Sequence, residues 1–164
     1  MNKIESFKVN HLDLHPGIYI SRQDIVGEEP VITYDIRMTY VNHEPAIDPA
    51  AMHTIEHIGA TMLRNGSLKD DIIYFGPMGC CTGFYLIMKG EHPIVEIKQI
   101  ILGMMSLIAN WKDDEKIPGY SPKECGNYKF HNLDGARNIA KKYMTRLVAD
   151  FHCEYPKGDF ENDK

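Results

Sequence analysis

Apolar and polar positions alternate from Val31 to Val41. Ile32, Tyr34, Ile36, Met38 and Tyr40 fall on one side, and Thr33, Asp35, Arg37 and Thr39 on the other. A period of two belongs to a strand with one face on a core, so this run predicts a long strand. Gly17 to Ser21 predicts a short strand before it, and the acidic, turn-rich stretch Gln23 to Pro30 a connection. Two more strands are expected at Asp71 to Phe75 and Thr82 to Lys89, joined through Gly76-Pro77-Met78-Gly79-Cys80-Cys81. The period changes to that of a helix in Pro93 to Asn110, where Ile97, Ile100, Ile101, Met104, Leu107 and Ile108 share a face. A further long helix is expected from Leu133 to Phe151. The methionines read as core filler. Ser6 to His15 reads as an edge segment or arm, Lys112 to Pro122 as a loop, and Glu154 to Lys164 as a polar tail. Strands broken by helices, with short hairpin-like links, predict an antiparallel or mixed sheet covered on one face by helices. No repeat, linker or shift in composition divides the chain, so one domain over residues 1–164 is expected.

The third helix signal carries the chemistry. In Asp48-Pro49-Ala50-Ala51-Met52 to Arg64-Asn65-Gly66, Asp48 suits an N-cap and Pro49 the first helical position. Gly66 stands where a left-handed residue would close the last turn, which predicts a helix from Pro49 to about Asn65. Inside it lies His53-Thr54-Ile55-Glu56-His57. Two histidines four apart share a helix face about 6 Å apart along the axis, a spacing that suits one metal ion. The pattern is His-x-x-Glu-His, the inverted form of the His-Glu-x-x-His zinc signature, in which the carboxylate handles protons.

Composition changes this picture little. The 164 residues are 43% hydrophobic and 25% charged, as in an ordinary globular enzyme that can bury a core. A net charge of -5 argues against nucleic acid or an anionic membrane as partner. No apolar run is long enough to span a bilayer, and Met1-Asn2-Lys3-Ile4-Glu5 does not read as a signal peptide. A cytoplasmic location is therefore expected, with Cys80, Cys81, Cys125 and Cys153 reduced.

A catalytic metal takes three protein donors and leaves a position open. Cys125, in Lys123-Glu124-Cys125-Gly126-Asn127, is the best candidate for the third donor, since it sits beside a glycine in a loop and a thiolate is a strong ligand for iron or zinc. A semi-buried structural cysteine is the plain alternative, and Glu115, Glu124 and Asp134 are candidates for a two-histidine, one-carboxylate site. Cys80, in a glycine-rich turn, could exchange protons as thiolate and thiol if a nearby metal cation lowered its pKa, although these residues alone favour a packing role.

Three segments together resemble one family. His53-Thr54-Ile55-Glu56-His57, then Gly76-Pro77-Met78-Gly79-Cys80 with Thr82-Gly83-Phe84-Tyr85-Leu86, then Glu124-Cys125-Gly126 are similar to the signatures of the S-ribosylhomocysteine lyase (LuxS) family, in its order and spacing. Glu5-Ser6-Phe7 with His11, and Asp35-Ile36-Arg37, extend the likeness over nearly the whole chain. One departure is Cys81, where the family commonly has Arg or Gln.

The resemblance implies an α+β fold with a four-stranded antiparallel sheet packed with helices, in a cytoplasmic homodimer whose subunits share active sites. It implies a metal held by His53, His57 and Cys125 with water as fourth ligand. That metal would be Fe(II), one per subunit, with zinc or cobalt as substitutes. It assigns Glu56 and Cys80 as the acid–base pair, and Ser6, His11 and Arg37 to the ribose. The implied reaction cleaves S-ribosylhomocysteine to homocysteine and 4,5-dihydroxy-2,3-pentanedione, the precursor of the quorum-sensing signal autoinducer-2. A thioether leaves readily only from a carbon β to a carbonyl, so the carbonyl must first migrate from C1 to C3. Cys80 then serves proton transfers at C2 and C3, and Glu56 those among oxygens, at C4 and to the sulfur. Two rival readings remain. In an inverted-motif zinc metallopeptidase, a downstream carboxylate would be the third ligand. In a non-enzymatic protein stapled by metal, a fourth ligand would be needed, and His152-Cys153 is the only rival neighbourhood that offers one.

Overall fold

The computed structural model describes residues 9–156. Ser6, expected to contact the ribose, lies outside them. Seven elements follow in order: β1 (Gly17–Val26), β2 (Glu29–Arg37), α1 (Pro49–Leu63), β3 (Ile72–Pro77), β4 (Gly83–Lys89), α2 (Ile94–Ala109) and α3 (Leu133–Ala149). The strands form one antiparallel sheet in the order β1-β2-β4-β3, so the α+β architecture is as expected.

Three boundaries differ from expectation. β1 runs on to Val26 through the stretch expected to be a connection, and pairs residue by residue with β2 up to Val26–Glu29. The two-residue link begins at Gly27, whose φ of 68° suits a tight hairpin. β2 stops at Arg37 because the Met38 and Thr39 amides both turn to the Thr82 carbonyl. Gly66 is not the left-handed cap of α1; Arg64 closes that helix in right-handed geometry, its amide bonding to Ala60. The start of α1 is as read: the Asp48 carboxylate accepts from the Ala50 amide and Pro49 opens the first turn.

One sheet face buries Ile18, Ile32, Tyr34, Ile36, Phe75, Phe84, Leu86 and Met88 against the helices. From α1 it receives Met52, Ile55 and Ile58, and from α2 Ile97, Ile101, Met104 and Ile108. At about 1.5–3 kcal/mol for each large apolar side chain buried, this contact holds α1 in place, and with it the histidines on its opposite side. The other sheet face is not left open. Leu14, Tyr19 and Val41 form a second small cluster there, with Val9 and Tyr155 packed on it. Asp35 and Arg37, on the polar side of the alternation, are consequently buried, at 1% and 4% exposure. No helix among the described residues is long and apolar enough to cross a membrane.

Candidate active site

His53 and His57 leave α1 on the side away from the sheet, each half-buried. Each is oriented by a backbone carbonyl: Nδ1 of His53 lies 2.6 Å from the Phe130 oxygen, and Nδ1 of His57 lies 2.7 Å from the Pro118 oxygen. A hydrogen on Nδ1 in both rings leaves both Nε2 lone pairs free, the arrangement typical of metal-ligating histidines. The loop that supplies Pro118 depends on Gly119. Its φ is 71°, and a Cβ there would stand 2.9 Å from Nδ1 of His57.

Cys125 completes the set. Its amide is held by the Ser121 carbonyl at 3.0 Å, and the following chain is pinned to α1 by Asn132, whose amide donates to Thr54 Oγ1 at 3.0 Å and whose side chain donates to Asp48 at 2.7 Å. One donor atom from each of His53, His57 and Cys125 lies within 4.8 Å of the other two. The Cys125 Sγ to His53 Nε2 distance is 3.5 Å. A tetrahedral ion about 2.05 Å from nitrogen and 2.3 Å from sulfur would separate those atoms by roughly 3.6 Å, so the residues fit a metal. The carboxylate candidates do not take the third place. Glu124 turns to Ser121, Asp134 to Arg137, and Glu115 is absent from the donor group. This removes the ligand set on which the metallopeptidase reading rested.

His131 was not anticipated. Its ring stacks on His53 at 4.3 Å and meets His57 edge-on at 5.0 Å. Burial, followed by the neighbouring His53 and His57, pushes its pKa down to about 4, so it stands neutral against the donor set. Its position, just before the Asn132 N-cap of α3, was the only available signal. Glu56 is half-buried and lines an open hollow of about 240 Å³ with His57, Ala60, Thr61, Pro118 and Gly119.

Cys80 occupies a different place. It follows β3 in the turn Met78–Cys81, closed by a 3.0 Å bond from the Cys81 amide to the Met78 carbonyl, with Cys81 itself left-handed at φ 57°. With His11, Arg37, Asp35, Met78, Tyr85 and Tyr155 it lines a cavity of about 180 Å³. Arg37 grips Asp35 through two bonds, Nε to Oδ1 at 3.1 Å and Nη2 to Oδ2 at 2.7 Å, while the Tyr155 hydroxyl donates to Asp35 at 2.9 Å. The remaining Arg37 nitrogen, Nη1, donates to Thr82 Oγ1 at 2.5 Å and lies 3.8 Å from Cys80 Sγ. Thr82 Oγ1 is thereby an acceptor from Arg37, which frees its own hydrogen for Cys80 Sγ, 3.0 Å away. Partial burial raises the thiol pKa, but the Thr82 hydroxyl and amide and the Arg37 charge outweigh it, and the net shift is downward.

The expected residues thus form two groups within one chain: His53, His57, Cys125 and Glu56 along α1, and His11, Arg37 and Cys80 across the sheet. Two imidazoles and a thiol able to hold an ion, a carboxylate beside them, and a separate acidified thiol constitute the equipment of a metal-assisted acid–base enzyme. The chain matches the model of the S-ribosylhomocysteinase (LuxS) family over residues 4–153. It is 51% identical over 144 residues to the S-ribosylhomocysteine lyase of Finegoldia magna, covering 88% of this chain and 90% of that one. It is 48% identical over 159 residues to that of Borreliella burgdorferi (95% and 100%), and 45% identical over 160 residues to that of Clostridium acetobutylicum (96% and 100%). The chain belongs to the S-ribosylhomocysteinase (LuxS) family and is a lyase.

Proposed function

We propose that the chain, as one catalytic unit over residues 1–164, cleaves S-ribosylhomocysteine to homocysteine and 4,5-dihydroxy-2,3-pentanedione, the autoinducer-2 precursor, by carbonyl migration and β-elimination. The observation that carries this reading is 45–51% identity over nearly the full length of proteins bearing that activity in their names. His53, His57 and Cys125 hold the resident metal, which we take to be Fe(II), one per subunit. When bound, the ion supplies Lewis-acid polarisation of a carbonyl oxygen.

The remaining chemistry belongs to side chains of this protein. Cys80, ionised through Thr82 and Arg37, takes the proton from C2 and returns it to C1, then takes the proton from C3 and returns it to C2. Each transfer leaves the carbonyl one carbon further along. Glu56 carries protons between the substrate oxygens and removes the C4 proton. The C4–H electron pair becomes the C4–C5 double bond, the C5–S bond breaks, and the departing sulfur receives its proton from Glu56; the enol left at C4 then gives up its hydroxyl proton and gains one at C5, becoming the methyl ketone of 4,5-dihydroxy-2,3-pentanedione. Ser6, His11 and Arg37 position the ribose. Arg37 does so from a fixed place, because two of its three nitrogens are committed to Asp35.

The separation of the two groups within one chain supports a homodimer in which the Cys80 cavity of one subunit faces the α1 hollow of the other. Four free cysteines support a reducing, cytoplasmic location, with a small molecule rather than nucleic acid or membrane as partner. The reading is tested by thiol release from S-ribosylhomocysteine, using anaerobic Fe(II)-loaded protein with Cys80→Ala beside it. Homocysteine is expected from the intact protein, with a loss of about 10²–10⁴-fold or more in the variant. No thiol from a protein carrying one metal per chain would refute it.

A further inference from the structure

We infer that His15, Asp150 and His152 form a second metal site, for a divalent transition ion of the zinc type, which clasps the segment before β1 to the chain leaving α3. One donor atom from each residue lies within 4.8 Å of the other two. The His152 Nε2 to Asp150 Oδ2 separation is 2.9 Å, and the His15 and His152 rings stand 4.5 Å apart at a 44° tilt. Two donors on a tetrahedral ion at about 2.05 and 2.1 Å would lie roughly 3.4 Å apart, so a shift of a few tenths of an ångström in an exposed carboxylate opens the site.

The second observation is an orphan. Nδ1 of His15 is buried and has no hydrogen-bond partner among the described residues. A buried polar atom without a partner is costly, and coordination of the ion through Nδ1 would satisfy it.

The backbone under these side chains is already fixed. Gly17 pairs with His152 in a parallel bridge, the Ile18 amide donates to the His152 carbonyl at 3.0 Å, and the Tyr19 hydroxyl donates to the His15 carbonyl at 2.8 Å. The approach is so close that a Cβ at Gly17 would lie 2.3 Å from the His152 oxygen. The His15 ring is also wedged by Tyr40, edge-on at 5.2 Å. Arg146, stacked over the Tyr40 ring, is paired with Glu44 through both of its terminal nitrogens. Two imidazoles with one carboxylate select zinc, cobalt, nickel or copper over the all-oxygen preferences of calcium and magnesium. Cys153 is not in the donor group.

The position gives the site a consequence. Val9, His11 and Leu14 precede His15, Tyr155 follows His152, and all four line the Cys80 cavity. An ion joining His15 to His152 therefore fastens together two walls of that cavity. The inference is independent of the lyase reading, since the second ion is counted without turnover.

The test is metal stoichiometry by elemental analysis of the intact dimeric protein, dialysed against buffered steps of free Zn(II), with Tm followed in parallel. Wild type is expected to reach two zinc ions per chain in separate steps, with Tm rising at both. His15→Gln and His152→Gln should stop at one, and Cys125→Ser should keep the second step. Asp150→Asn, at an exposed position that leaves folding intact, should shift that step about tenfold to higher zinc. With Co(II) in place of zinc, thiolate charge-transfer absorption should saturate after one ion and the further ion should add none. A single equivalent in wild type, or a second equivalent kept in either His15→Gln or His152→Gln, would overturn the site.

Discussion

Replacing Thr82 by Val isolates the device that acidifies Cys80. The side chains are nearly isosteric, and the Thr82 carbonyl, which anchors Met38 and Thr39, is untouched. What is lost is the hydroxyl between Arg37 Nη1 and Cys80 Sγ, at 2.5 Å from one and 3.0 Å from the other. A hydrogen bond to a charged group contributes about 1.5–3 kcal/mol, and Cys80 is exposed enough that about half of this remains. The Cys80 pKa should therefore rise toward that of an ordinary thiol. The assay is the pH dependence of iodoacetamide alkylation, read peptide by peptide so that Cys81, Cys125 and Cys153 do not contribute. Near neutral pH the variant should react a few-fold more slowly at Cys80, the smaller thiolate fraction being partly offset by the greater nucleophilicity of a more basic thiolate, and Thr82→Ser should restore the wild-type midpoint. A Val variant with an unmoved midpoint would show that the relay does not set the thiol's acidity.

Other consequences follow from neighbouring features. Gly119→Ala forces a Cβ to 2.9 Å from His57 Nδ1 at a φ of 71°, so metal affinity should fall about 10–100-fold in chelator competition, with the fold retained. Glu44 is held down to about 2, first by Arg146 and then, against burial, by Lys142 and the Tyr40 amide. Its folded pKa lies below the ordinary 4.5, so its stabilisation is complete above pH 4.5 and is lost as pH falls toward 2. Glu44→Gln should therefore cost about 2 kcal/mol in urea unfolding at pH 7, after allowance for screening, and the difference from wild type should shrink progressively below pH 4.5. If the two groups of residues meet across a dimer, mixing inactive Cys80→Ala and His57→Ala proteins should restore about a quarter of wild-type activity through heterodimers with one intact site. No recovery after verified subunit exchange would refute the shared site.

The metal helix was legible because cap, proline and histidine spacing all lie within one segment and each acts locally. The strand pairing of Arg22 to Val26 was not, because this half of β1 is an edge strand, largely exposed on both faces, and leaves no alternation to read. Gly66 misled for a related reason: the helix ends where its buried face ends, at Leu63, before the glycine is reached. The third donor required the fold itself. Cys125 ranked ahead of Glu115, Glu124 and Asp134 in the sequence without displacing them, and the loop from Ser121 to Asn132, bonded to Ala50, Thr54 and Asp48 through Asn132, is what places the thiol beside the histidines. Asp35 and Arg37 were placed on the correct side of β2, but their burial depends on Tyr19 and Tyr155, whose closure over that face no local pattern announces.

Thr82 has a further consequence for how the protein acquires activity. It stands one residue before β4, opposite the end of β2, where Arg37 pairs with Gly83. A slip of one residue in that pairing would turn Arg37 toward the apolar layer and present Ile36 to the thiol. Correct strand register and an acidic Cys80 are therefore the same event. During refolding, the return of rapid alkylation at Cys80 would time the closure of β2 on β4, so the reactive thiol serves as a built-in clock for the sheet that carries it.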